Sequence, residues 1–258
     1  MKRLAAFGLT ALMTLAALPA AAQSALNDVL SGGVLKVGTT GDWNPMSVKD
    51  PATNSYKGFD IDVMEALAAD LDVTLEWVPT DWKTLVNGVV AGKYHMTGSA
   101  SISPARMKVA GFSESYISVE ILPFSTADKA GRFDGWDSIN QKDVVVATTL
   151  GTTFEKYVKE WFPEATIKVV EAPARGYQEV LAGRADVFVT SNIEGATLME
   201  KFPQLSTVPV EEARAPSPIA MLLPQTDQVW INYVNNWIKI KKAAGFFDDV
   251  AAKWGLAD

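Results

Sequence analysis

Two hydrophobic periods alternate along this chain, and the alternation runs through twice. "VLKVGTT" (34–40) is β-branched with period two, the pattern of a strand. The stretch "GDWNPMSVKDPATNSYKG" reads as a loop, punctuated by Pro45, Pro51, Asn54 and Gly58. "FDIDVMEALAADLD" then sets Ile61, Met64, Leu67, Ala68 and Leu71 at helical offsets, with Asp60 and Asp62 near the start. "VTLEWVP" predicts a strand, "DWKTLVNGVVAGK" a helix stopped by Gly92, and "YHMTGSA" a further strand. Strands alternating with helices build an open α/β sheet. Ligands bind such sheets at the carboxyl ends of the strands. Three loops leave that edge: residues 39–46, 79–83 and 97–106.

The pattern then restarts. "DVVVATT" (143–149) predicts a strand, "GTTFEKYVKEWFP" a helix, "TIKVVEA" a strand, "ARGYQEVLAGR" a helix, "ADVFVTS" a strand, and "NIEGATLMEKFP" a helix ended by Pro203. "SPIAMLLP" is another strand, and "QVWINYVNNWIKIKKAAGFFDDVAAKWG" gives two terminal helices. Two paired lobes follow: 24–121 plus 210–258 as the first, 122–209 as the second. The chain crosses between them near 118–126 and again near 208–216. A site between two lobes joined by two strands can close like a hinge.

The first 22 residues have a different logic. Lys2 and Arg3 precede the apolar run "LAAFGLTALMTLAALPA", and small residues Ala20 and Ala22 follow. This is the pattern of a secretory signal cut after Ala22, so an exported, periplasmic protein is expected. Composition closes other routes. A net charge of −7 argues against nucleic acid, whose phosphates need a basic face. With no cysteine and one histidine, His95, neither a disulfide, a thiolate nucleophile nor a multi-histidine metal site can be built. No P-loop, Ser-His-Asp set or dinucleotide fingerprint is present, so no cofactor and no metal are expected.

Arg106 stands at a strand edge behind Ser99, Ser101 and Ser103. A planar guanidinium can hold a carboxylate through two parallel hydrogen bonds, and Ser101 can donate to the same oxygens. The competing reading is a surface ion pair with Glu114. Gly151, Thr152 and Thr153 open a helix directly after a strand. Amides at a helix start can bind an anion, or Thr152 or Thr153 can simply cap the helix. Trp43 and Trp82 lie in loops at strand ends, where they could stack on a ligand or on each other. Trp77, Trp161, Trp230, Trp237 and Trp254 fall in strand or helix patterns and read as packing, and His95 reads as structural.

Taken as a set, "KVGTTGDWNPM", "KGFDIDVMEALAADL", "ISPARMKVAGFSESY", "GTTFEKY" and "AGRADVFVTSNIEGATL" resemble the polar amino-acid branch of periplasmic solute-binding proteins, over 30–256. The stretches "TTGDW", "VPTDW", "ISPAR" and the Ile193-Glu194 pair are similar to the cyclohexadienyl dehydratase-like subgroup, a lyase grown on the same fold. The resemblance implies a two-lobed type II periplasmic-binding fold with two crossover strands. It implies a small carboxylate-bearing ligand, delivery to an ABC transporter permease, and a carboxylate gripped by Arg106 on one side and Thr152 on the other. A monomer is expected. Amino-acid binders of the family carry an aspartate where this chain has Ser191; Asp42 or Glu194 would substitute, or the ligand lacks an α-amino group. In the dehydratase reading Glu194 is the general acid. Against that reading, Ser191 and Ile219 replace polar residues of the subgroup.

Overall fold

The computed structural model describes residues 24–256; the leader expected over 1–22 lies outside them. Strands Val34–Thr39, Thr74–Pro79 and Met96–Thr97 form a parallel sheet with Val34–Thr39 in the middle. Helix Phe59–Asp70 crosses between the first two and buries Phe59, Val63, Met64 and Leu67 on the sheet. The terminal helices Gln228–Ala243 and Phe246–Lys253 return to the same half, where Trp230, Val234, Ile238 and Phe247 complete one core. In the other half, Val145–Thr149 lies between the parallel strands Thr166–Val170 and Val187–Ser191. Helix Thr153–Trp161 packs Val158 against a second core that includes Val146, Val187 and Phe162.

Two ten-residue strands, Ile117–Thr126 and Arg214–Leu223, join the halves. They pair antiparallel with each other. The first also pairs with Val187–Ser191, the second with Ser99–Ser101. One hydrogen-bonded ladder therefore runs from one half into the other, which is the two-lobed type II fold with two crossover strands. Its register shifts between Arg214 and Ser217, where Ala215 takes a φ of +46°.

Some local expectations need correction. The stretch after the first strand is not a plain loop: Asp42–Trp43, Ser47–Lys49 and Tyr56–Lys57 pair as a small antiparallel sheet, whose turns satisfy backbone groups a loop would leave to solvent. The strand expected over "YHMTGSA" breaks at Gly98 and changes partner sheets. The Asp60 carboxylate accepts the Ser99 amide there at 3.1 Å, and a Cβ on Gly98 would lie 3.1 Å from the same carboxyl group. Helix Ala25–Gly32, capped by Ser24, carries no strong sequence signal and is held by Asp227, which accepts from Ser24 Oγ and the Ala25 amide. The second crossover strand is Arg214–Leu223, which begins within the stretch expected to cross.

Candidate functional site

Ser103 caps the short helix Pro104–Met107, and this turn points Arg106 inward, leaving it 8% exposed. Its Nη1 donates to the Ser101 carbonyl at 3.1 Å and its Nη2 to the Gly151 carbonyl of the other half at 3.4 Å. Glu114 instead meets Lys239 at 3.0 Å, so the competing surface pair is not made. Among the described residues no carboxylate pairs with Arg106, and burial pushes its pKa down to about 10. A buried guanidinium that lacks a counter-charge is an expensive arrangement for a protein to keep.

Opposite Arg106 is the start of helix Thr153–Trp161. The Thr152 hydroxyl accepts from the Glu155 amide at 3.2 Å and donates to the Thr149 carbonyl at 2.7 Å, so this side chain is a helix cap. Capping leaves the first-turn amides of Thr153 and Phe154 without a protein acceptor among the described residues. Thr153 Oγ1 donates to Ser101 Oγ across the gap at 3.3 Å. Gly151, at φ +81°, permits this approach. A Cβ there would lie 2.5 Å from the Lys83 backbone of the other half.

Trp43 and Trp82 form an edge-to-face pair, with centroids 5.9 Å apart. Trp82 Nε1 donates to Asp42 at 2.9 Å and Trp43 Nε1 to Ser191 at 3.3 Å. These two rings, Ser101, Arg106, Thr152, Thr153, Phe154 and Arg175 line one cavity of about 20 Å³ between the halves. That is room for about one water. The two halves are thus drawn together around this cavity by the bonds of Arg106 to Gly151, Thr153 to Ser101 and Arg175 to Asp42.

Arg175, which the sequence reading did not single out, is the largest correction. It follows strand Thr166–Val170 at the carboxyl edge of the second sheet, just before helix Gly176–Leu181. Its Nη1 donates to Asp42 Oδ2 of the other half at 3.0 Å; its Nη2 donates to both Glu194 oxygens at 2.7 and 3.0 Å. Thr190 Oγ1 also donates to Glu194. Burial pushes the Glu194 carboxyl up from its usual value, while Arg175 and Thr190 pull against that rise. Asp42 and Glu194 are therefore not idle acids awaiting a ligand cation, since a guanidinium already lies between them.

Two further candidates sit away from the Arg106 cavity. Ser99 donates to Asp60 at 2.5 Å and shares a hydrogen bond with Tyr116, so it belongs to a buried polar cluster beneath the site. Ser191 is fully buried as the cap of helix Asn192–Lys201, its hydroxyl accepting from the Glu194 amide. His95 Nδ1 accepts the Lys36 amide at 3.0 Å, and burial lowers its pKa, consistent with a structural role. Arg175 has one sequence signal: "EAPARGYQ" is a loop leaving a parallel strand at its carboxyl end, where ligands bind such sheets.

The sequence pattern of the bacterial extracellular solute-binding proteins, family 3, matches residues 35–257. The cyclohexadienyl dehydratase of Pseudomonas aeruginosa is 30% identical over 235 residues, covering 91% of this chain and 87% of that protein. The L-cystine-binding protein TcyA of Bacillus subtilis is 22% identical, over 86% of this chain and 81% of that protein. The crystal structure of the ancestral amino-acid-binding protein AncCDT-1, a precursor of cyclohexadienyl dehydratase, superposes with a TM-score of 0.83 at 34% identity. It spans 90% of this chain and 99% of that one. The chain belongs to the bacterial extracellular solute-binding proteins, family 3.

Proposed function

We propose that this family-3 solute-binding protein captures a small carboxylate-bearing, amino-acid-like ligand between its lobes and presents the closed form to an ABC transporter permease. In this reading residues 1–22 direct export to the periplasm, and the lobes are 24–121 with 210–258, and 122–209. The observation that carries it is Arg106: a buried guanidinium with no carboxylate partner among the described residues, facing a cavity shared with first-turn amides of helix Thr153–Trp161 that have no acceptor among them either. A carboxylate in that cavity accepts from both lobes at once. Each such charge-assisted bond contributes about 1.5–3 kcal/mol, so four at the upper end, about 12 kcal/mol, set against an association cost of about 4 kcal/mol, leave the roughly 8 kcal/mol of micromolar binding. Trp43 and Trp82 supply the apolar wall.

The test is calorimetric titration of the mature protein with a panel of free amino acids and their 2-oxo analogues, repeated on Arg106→Ala. Binding by the parent that survives unchanged in the variant rejects the clamp.

Similarity to a cyclohexadienyl dehydratase keeps a lyase as the second reading, with Glu194 as general acid. A general acid must hold a proton, whereas both Glu194 oxygens accept from Arg175. Binding is the reading the geometry favours. Incubation with prephenate or arogenate decides, because turnover that disappears in Glu194→Gln requires the lyase.

A further inference from the structure

Arg175 divides the charges of this cleft in a way that bears on what it holds, given the binding reading above. Two acids, Asp42 from one half and Glu194 from the other, face it. It bonds to both through separate nitrogens, at 3.0 Å to Asp42 and at 2.7 and 3.0 Å to Glu194. The side chain is 9% exposed, so solvent does little to screen the arrangement. Asp42 has its second oxygen occupied by Trp82 Nε1. The same guanidinium lines the cavity that Arg106 enters, together with the two tryptophans. Two negative charges and one positive leave a single excess negative charge at this end, against the single unpaired positive charge of Arg106 at the other.

An amino-acid ligand whose carboxylate sits on Arg106 supplies the counter-charge at that end, and at the other end of the cavity it faces Arg175 rather than either acid, since neither Asp42 nor Glu194 lines the cavity. A ligand with a second cation, such as a lysine or arginine side chain, would meet the Arg175 guanidinium. Desolvating two like charges side by side is strongly unfavourable. We infer that Arg175 is a built-in occupant of the cleft's cationic position, and that it restricts the ligand to carboxylates with an uncharged side chain. Without Arg175, the pair Asp42–Glu194 becomes a receptor for a guanidinium or alkylammonium group.

The experiment removes the internal cation and offers an external one. Arg175→Ala and Arg175→Gln are melted with ethylguanidinium, L-arginine and L-lysine, alongside the parent. The variants are expected to gain a Tm rise of roughly 3–6 °C with ethylguanidinium at ten times its Kd. The parent is expected to show none with any of the three cations. In Arg175→Ala with Asp42→Asn and Glu194→Gln added, the response is expected to vanish, because the acids that attract the cation are gone. Ethylguanidinium has no carboxylate, so its effect does not depend on the Arg106 clamp and should persist in Arg106→Ala/Arg175→Ala. Failure of the carboxylate reading is thereby separable from failure of this one. If Arg175→Ala folds only when ethylguanidinium is present during refolding, that supports the assignment equally. Two results overturn it: a parent stabilised by L-arginine or L-lysine as strongly as the variants, or acid-intact variants indifferent to ethylguanidinium.

Discussion

Replacing Arg106 by Met separates a ligand clamp from a scaffold residue, because the two roles move stability in opposite directions. The guanidinium is buried, and its pKa falls from 12.5 to about 10, chiefly through desolvation. A base whose folded-state pKa is depressed destabilises the fold wherever it stays charged. That cost is fully present below about 10 and fades only as pH rises from there toward the unfolded value. At neutral pH the fall from 12.5 to about 10 corresponds to on the order of 3 kcal/mol. The bonds to the Ser101 and Gly151 carbonyls, at 3.1 and 3.4 Å, return about 1 kcal/mol each. Methionine keeps most of the apolar stem and drops the charge. The unliganded protein should therefore gain about 1 kcal/mol, a Tm rise of roughly 2–4 °C. Ligand affinity moves the other way: losing two charge-assisted bonds costs ~3–6 kcal/mol, or roughly 10²–10⁴ in Kd. Urea denaturation without ligand and calorimetry with it measure the two halves. An unliganded Arg106→Met destabilised by more than about 2 kcal/mol would refute the reasoning, since Arg106 would then hold the fold together.

Gly151→Ala should impair closure without unfolding either lobe: a Cβ at that position meets the Lys83 backbone of the opposite half at 2.5 Å, and φ there is +81°. Small-angle scattering should show no ligand-induced compaction in the variant; a normal decrease in radius would sink the idea. Asp60, held among Ser99 and Tyr116, has its carboxyl pushed up from 3.8 to about 6, mainly by burial. The folded state thus keeps a proton that the unfolded chain releases, and stability should fall by up to ~3 kcal/mol as pH rises from about 4 to about 6, then level off. Asp60→Asn should lack that slope; parallel urea curves for the two proteins between pH 4 and 7 would contradict it.

Much of the architecture could be read from the chain because its carrier is local. The period-two runs at 34–40 and 143–149 and the helical offsets in 59–71 depend only on which face of each element meets a core. What escaped reading was non-local. The break at Gly98 arises because Asp60, 38 positions earlier, accepts the next amide. The bond from Trp43 Nε1 to Ser191 Oγ brings together residues 148 positions apart. Arg106 could be found from its edge position and its hydroxyl neighbours. Arg175 could not be ranked against other arginines, because its meaning depends on two acids at 42 and 194 that only the fold brings to it.

The two arginines also explain how closure can depend on ligand. When the halves part, Arg175 loses Asp42 but keeps Glu194, which lies in its own half, so its charge stays paired in either state. The bond that is broken joins a buried guanidinium to an Asp42 side chain still 20% exposed. Partly solvated, that arm contributes about 1 kcal/mol to closure. Arg106 acts in the opposite sense. Closing without a ligand removes water from a guanidinium, and the desolvation cost, on the order of 3 kcal/mol, is only about offset by the two carbonyls and the Asp42 arm at about 1 kcal/mol each. Without a ligand the open and drawn-together forms should therefore lie close in free energy. In the proposed clamp a bound carboxylate tips that balance toward closure by giving Arg106 a counter-charge. One paired and one unpaired arginine in the same cleft are thus enough to make a hinge respond to its ligand.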